Sequence, residues 1–384
     1  MRPFSTRFRR RTLKRILSLR CRRLQRDSVP KSDIDRSIPK QLLDAKKNKV
    51  IGEMPLKNLT YINVIEQNRE WGAEVFVNRG LQRQGIKTVN IDYRNNRFKL
   101  ANKVRQLADC DALLLQRGEG FPIHVLSAFQ RPKFFWASEL VSRRRDQDRL
   151  IRSGLFEHVF FRTQKCIDTV VSKNWIQSER CSILLSGFDQ SLFFPKPEIE
   201  RDIDALFVGN LTERRRSILQ DLKRMGLCVV VTKAYGSAMN SLFQRAKVVL
   251  NIHAEHFADT ETRVFEVLGS GALLLSERLS EENPFIPERH FLEASTTERM
   301  GELALEMITD PDAAQVIRDE GYHEALHRHT YDARAREIAD TISKYLLTYP
   351  ERSHPHIKDS LRFKVRRKVE DWLDFSARSL LDRL

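Results

Sequence analysis

Residues 247–276 read KVVLNIHAEHFADTETRVFEVLGSGALLLS, and the pattern in this stretch decides the fold. Val248 to Ile252 is a run of β-branched and aliphatic residues that reads as a buried strand. A polar loop follows, then a short helix that Thr260 or Thr262 is placed to cap, with Val264, Phe265 and Leu268 as its apolar face. Gly269 and Gly271 end that helix before a second strand at Ala272 to Ser276. Arg263 and Glu266 are three apart and share one side of the helix near its N-terminus. In an open α/β sheet that end lies at the carboxyl edge of the strands, where free N–H groups and the helix dipole favour a phosphate. An arginine there neutralises a diphosphate, while a carboxylate one turn further in accepts hydrogen bonds from both hydroxyls of a ribose. A solvated Arg–Glu pair is the alternative; the strand before the helix and the Gly-x-Gly after it favour the ligand.

Charge is unevenly spread along the 384 residues. Residues 1–26 hold ten Arg, one Lys and no acid, which is +11 of the formal +16, and residues 361–384 add +3. The body is left at about +2, which argues against a nucleic-acid partner. Leu13, Ile16, Leu17 and Leu24 fall near one helical face among the arginines, so residues 1–47 read either as a basic amphipathic arm for an anionic membrane surface or as a soluble arm and linker. Five scattered cysteines without a C-x-x-C pair suit a reducing, cytoplasmic compartment. No apolar run reaches the roughly 20 residues that span a bilayer.

From Leu59 the chain alternates strand and helix. Strands are expected at Tyr61 to Ile65, Lys87 to Asp92, Ala112 to Gln116, Lys133 to Trp136, His158 to Arg162 and Cys181 to Leu185. Helices are expected at Trp71 to Gln84, Phe98 to Leu107 and Lys165 to Trp175. This succession predicts a mostly parallel sheet with functional side chains in the loops after the strands. Those loops carry Glu66, Gln67, Asn68 and Trp71, then Arg117 to Gly120, then Ser138 and Glu139. Glu66, Glu119 and Glu139 are candidate general bases or ligands of acceptor hydroxyls, and Glu119 and Glu139 are taken forward as catalytic candidates together with Arg263.

A second α/β half begins with a strand at Asp204 to Val208 that runs into Gly209 and Asn210, where the missing side chain of Gly209 lets a ligand phosphate approach the backbone. Arg214, Arg215 and Arg216 open the following helix, Arg214 to Met225, within reach of the same anion. After a strand at Leu227 to Thr232, Tyr235 and Gly236 are placed to receive a nucleobase by stacking and backbone hydrogen bonds. Asn283 to Glu293 reads as an irregular loop, and 296–309 and 311–328 as helices. The apolar face of a last helix, 357–384, carries Val365, Val369, Trp372, Leu373 and Leu380.

Gly187, Asp189, Phe193 and Pro195 spell G-x-D-x-x-x-F-x-P between the two halves. With FVGNLTERR, AKVVLNIH, TETRVFEVLGSG and the later HTYDAR, residues 58–345 resemble the spore-maturation (CgeB-type) branch of the GT-B glycosyltransferases, a group-1 glycosyl transferase family. The resemblance implies two Rossmann-like, doubly wound domains facing across a cleft, an acceptor-side domain at 58–190 and a nucleotide-sugar-binding domain at 191–345. Glu266 matches the glutamate of the donor motif that binds the nucleotide ribose. Many retaining relatives carry a second glutamate eight residues earlier; this chain has Ala258 there, with Asp259 beside it. Donor-binding candidates are Gly209, Asn210, Arg215, Arg216 and Tyr235 from the first part of the second domain. From the organising stretch come His253, Thr260, Glu261, Thr262, Arg263 and Glu266.

The implied activity is hexosyl-type transfer from a nucleotide-sugar to a hydroxyl of a glycan, lipid-linked or protein acceptor, without a cofactor or essential metal, in the cytoplasm or on the inner face of a membrane. The Asp-x-Asp pairs precede strands or lie in linker or helix, not after a strand where they would hold a diphosphate-bound metal. A non-catalytic protein of the same fold, using its basic ends on nucleic acid or membrane, is the alternative. His323, Glu324 and His327 form an H-E-x-x-H string of zinc-peptidase type, but the extension that supplies a third ligand is missing.

Overall fold

The computed structural model describes residues 55–350 apart from 66–70, 96–99, 101–102, 104–109, 124, 127–128 and 130. The basic arm at 1–47, the helix at 357–384, most of the helix expected at Phe98 to Leu107, and Glu66, Gln67 and Asn68 lie outside the described residues.

The first sheet comprises β1 (Asn58–Asn63), β2 (Lys87–Asp92), β3 (Ala112–Gln116), β4 (Lys133–Trp136), β5 (His158–Phe161) and β6 (Cys181–Ile183). Its order is β2-β1-β3-β4-β5-β6, parallel throughout. Side chains alternate between its faces. In β3, Ala112 and Leu114 join Phe134 and Trp136 on one side, while Leu113 and Leu115 join Phe135 on the other. The central strands are buried on both faces, so β3 and β4 read as nearly unbroken apolar runs. Helices α1 (Ala73–Arg83), α2 (Arg145–Ile151) and α3 (Gln164–Ser172) accompany this sheet.

The second sheet comprises β7 (Ile203–Val208), β8 (Val229–Thr232), β9 (Ala246–Asn251), β10 (Leu274–Glu277) and β11 (Leu292–Ala294), again all parallel, in the order β11-β10-β9-β7-β8. Around it run α4 (Glu213–Arg224), α5 (Gly236–Arg245), α6 (Thr262–Gly269), α7 (Thr297–Thr309) and α8 (Pro311–Arg328). Thr212, Thr296 and Asp310 cap α4, α7 and α8 with their side chains. The stretch Asn283 to Glu293, expected as an irregular loop, ends in the edge strand β11, whose Leu292 pairs with Leu275.

Two passages join the lobes side by side. Phe188, in the connector, donates its N–H to the carbonyl of His329 (3.2 Å) and accepts from the N–H of Tyr331 (2.9 Å), so it bridges to Thr330 where the chain returns. The returning helix α9 (Tyr331–Thr348) does not pack on the second sheet, although the sequence places residues up to 345 in that domain. Tyr331, Ala335, Ile338, Ala339 and Ile342 are buried with Leu59, Tyr61, Phe76 and Phe134 in the first lobe.

His329 sits at this double crossing and His158 begins β5. Both are held neutral: burial and then Arg334 lower His329 to about 4, and burial and then Arg180 lower His158 to about 4. Because the unfolded chain binds these protons first, their contribution is full above pH 6.5 and is lost as pH falls toward 4. Thermal melts should therefore show a falling Tm across that window, and His329→Gln should flatten it; a curve of unchanged slope would contradict the assignment.

Candidate active site

In both sheets the strand order reverses direction once, between β1 and β3 and between β7 and β9. In open parallel sheets such points leave a crevice at the carboxyl ends of the strands. The two crevices face each other and form one cleft of about 660 Å³. Its second-lobe wall includes Gly209 and Asn210 after β7, Asn251 at the end of β9, Tyr235, and Arg263 and Glu266 of α6. Its first-lobe wall includes Trp71, Gln116, Arg117, Ser138, Glu139 and Arg162.

Arg263 and Glu266 are not a solvated pair. Arg263 Nη1 donates to Glu266 Oε2 at 2.9 Å, and their side chains are 19% and 12% exposed. Arg263 is also wedged against Met239 Sδ and lies over the Phe243 ring. Burial raises the Glu266 carboxyl above the ordinary carboxylate range, and Arg263 offsets part of the rise. Burial and the neighbouring Glu266 likewise push up the phenol of Tyr331 beneath the cleft.

The expected caps of α6 are absent. Thr260 Oγ1 hydrogen-bonds Ser280 Oγ (2.9 Å) and Thr262 Oγ1 donates to Ser186 Oγ (3.2 Å), while Glu261 occupies the N-cap position without a side-chain bond. The first turn of α6 therefore meets the cleft without a side-chain cap.

Of the arginine triplet, Arg215 is the one at the cleft. Its Nε donates to the Ile252 carbonyl (2.8 Å) and Nη1 to the Asn210 carbonyl (3.0 Å), which holds the guanidinium across the β7 and β9 ends. Arg214 turns away to Glu277 and the His253 carbonyl, and Arg216 is exposed on the outer side of α4. A Cβ at Gly209 would stand 3.2 Å from the Phe207 ring and 3.7 Å from Arg215 Nη1, so glycine keeps this corner open.

Across the cleft the lobes touch through polar and aromatic groups. Arg162 Nη2 donates to Asp259 Oδ1 (2.7 Å) and Arg143 Nη2 to Glu255 Oε1 (2.9 Å). Trp71 stacks on Tyr235 with centroids 4.5 Å apart and planes at 22°.

With this geometry the chain resembles known structures. Sucrose-phosphate synthase from Thermosynechococcus elongatus aligns with a TM-score of 0.55 at 10% identity, over 76% of this chain and 100% of that one. Anabaena HepE in complex with UDP and glucose gives 0.54 at 13%, over 75% and 100%. A glycosyltransferase from Rickettsia africae gives 0.54 at 9%, over 76% and 99%. The fold is GT-B. Residues 212–340 also match the family model described as glycosyl transferase-like. No curated protein matches the chain in sequence.

In this GT-B frame, Glu139, Gly209, Asn210, Arg215, Tyr235, Glu261, Thr262, Arg263 and Glu266 line the cleft. Four other candidates are elsewhere. Glu119 pairs with Arg94 (3.1 Å) and does not line the cleft. His253 is buried, its Nε2 on the Arg278 carbonyl (2.8 Å), because its backbone N–H is drawn to Glu277. Thr260 is buried against Ser280, and Arg216 faces outward. Arg143 and Arg162 also line the cleft without standing out in the sequence, although Arg162 directly follows the β5 strand, where the carboxyl-end rule points. His323 and His327 are exposed on α8, and Glu324 faces His329 (3.6 Å) and Arg328 (3.5 Å). Among the described residues no cluster of three or more His, Cys, Asp or Glu could hold a metal ion. No described helix is long and apolar enough to cross a membrane.

Proposed function

We propose that the protein is a nucleotide-sugar-dependent glycosyltransferase, nearest the spore-maturation (CgeB-type) branch, that moves a hexosyl group to a hydroxyl of a glycan, lipid-linked or protein acceptor. The observation that carries this reading is the meeting of Arg215, Arg263, Glu266 and the uncapped start of α6 in one cleft. Arg215, Arg263 and that helix end supply positive potential for the departing diphosphate, so that the reaction runs without an essential metal. Glu266 accepts the ribose hydroxyls, and Tyr235 takes the base. Glu139, on the opposite wall, takes the proton of the acceptor hydroxyl as its oxygen attacks the anomeric carbon and the bond from that carbon to the diphosphate breaks. Cytoplasmic placement, with the basic arm on an anionic membrane, belongs to the same reading.

The test is transfer or hydrolysis by the purified protein of UDP-, GDP- and dTDP-sugars, with UDP as first probe because HepE was solved with it. No turnover and no nucleotide binding, with steep salt-dependent binding of nucleic acid instead, would favour the non-catalytic alternative. Trp71 offers an independent signal. A base arriving at Tyr235 must displace or intercalate the Trp71 ring, so UDP should change the tryptophan emission, and Trp71→Phe should abolish that change. Identical spectra with and without saturating UDP would count against the base site.

A further inference from the structure

The two walls of the cleft differ in charge. The second-lobe residues that line it include Arg215, Lys233 and Arg263 against Asp259, Glu261 and Glu266, which balance. Among the described residues, the first-lobe lining includes Arg94, Arg117, Arg143 and Arg162 and the carboxylate of Glu139. Each of these guanidiniums has a carboxylate partner: Glu119 for Arg94, Glu74 for Arg117, Glu255 for Arg143 and Asp259 for Arg162.

Arg117 is the best prepared of these groups. Glu74, fully buried on α1, takes Arg117 Nε from behind. Burial alone would lower the guanidinium's pKa, and Glu74 more than offsets it, so the charge is secure. A buried carboxylate is expensive unless paired, and here the pairing fixes a guanidinium that remains 33% exposed at the cleft. Bonding through Nε leaves the two terminal nitrogens of Arg117 without a hydrogen-bond partner among the described residues, in the fork geometry that fits a carboxylate or phosphate. The backbone is also committed: Arg117 has φ 70°, a left-handed conformation that a non-glycine residue rarely adopts. In the same wall, Ser138 Oγ is buried without a hydrogen-bond partner among the described residues. Arg143 lies further along, tied to Glu255 through Nη2, with Glu139 at 3.9 Å from Nη1.

We propose that the first-lobe wall binds an anionic acceptor, a hydroxyl compound carrying a carboxylate or phosphate, with Arg117 as its principal charge contact and Arg143 in support. This rests on the glycosyltransferase reading for the word acceptor, but its test reads the anion separately. Glucose, glucuronate and glucose 6-phosphate are titrated into the whole protein, with and without saturating UDP, by calorimetry. Both anions, or the one whose group the site fits, should bind at least roughly tenfold tighter than glucose, since an ion-assisted contact is gained. The preference should shrink as salt rises.

The variants then assign the contact. In Arg117→Gln combined with Glu74→Gln both members of this pair lose their charge together, and the anion preference should vanish while UDP affinity is kept; Arg143→Gln should weaken it in part. Equal or absent binding of all three sugars overturns the proposal, as does an anion preference that survives the double substitution. A loss of UDP affinity in that variant would assign Arg117 to the diphosphate and also overturn it. Absence of UDP binding in the wild type overturns the donor reading instead, and leaves the comparison of sugars intact.

Discussion

Glu266→Ala should lower the affinity for UDP roughly 10- to 100-fold, the ~1.5–3 kcal/mol that a hydrogen bond to a charged group contributes. The carboxylate lies in the cleft wall with its Oε2 on Arg263, and Arg263 is itself fixed by Met239 and the Phe243 ring. Such a group is already oriented, so little is lost in ordering it when ligand arrives. If its partners are the ribose hydroxyls, 2′-deoxy-UDP should bind the wild type less tightly than UDP, and the two should bind Glu266→Ala alike. Burial has raised this carboxyl, so UDP affinity should begin to fall on acidification at a higher pH than an ordinary glutamate would allow. Glu266→Gln should remove that pH dependence. Calorimetric affinities that do not distinguish the two nucleotides in the wild type would remove Glu266 from the ribose.

Gly269→Ala should destabilise the protein by about 2–3 kcal/mol, in the range for an added methyl group that the surroundings cannot accommodate. A Cβ at this position would stand 2.2 to 2.5 Å from three atoms of the Phe188 ring. Phe188 cannot retreat, because its side chain is fully buried and its backbone holds the returning chain at both His329 and Tyr331. Two residues on, Gly271 has φ 65° and a Cβ there would lie 2.9 Å from Pro195 Cγ. The Gly-x-Gly after α6 is therefore a seat for Phe188 and Pro195 of the connector as well as a helix stop. Gly301→Ala is the control: its Cβ would meet the flexible end of Met225, which can move, so its loss of Tm should be the smaller. Equal melting shifts for the two substitutions would show that Phe188 yields.

Much of this architecture is legible in the sequence. A strand buried on both faces is apolar at nearly every position, so β3 and β4 have the limits their apolar runs suggest, while β2, KTVNID, is marked by alternation with Val89 and Ile91 on one face. The edge strand β11 has only three residues and a glutamate at its centre, and reads as loop. Helix α2 opens with Arg145 and Asp146 and has apolar residues only at its end, and α5 starts at a glycine with φ 58°, so neither announces itself. Arg263 and Glu266 are legible because helical spacing and the strand before them fix where they point. Arg117 is harder to read: its loop can be located, but the buried partner that orients it lies 43 residues earlier, on α1. Periodicity likewise shows that α9 has an apolar face, but not which sheet that face covers.

The seating of α9 on the first sheet changes what counts as a module in this chain. The second lobe is an insertion, bounded by the neighbouring crossings at Phe188 and Thr330, within a first lobe that is discontinuous in sequence. On the proposed function, replacing that internal block with both seams preserved should exchange nucleotide preference between relatives. A cut at residue 190 would strip the host of its closing helix and uncover Tyr61 and Phe134.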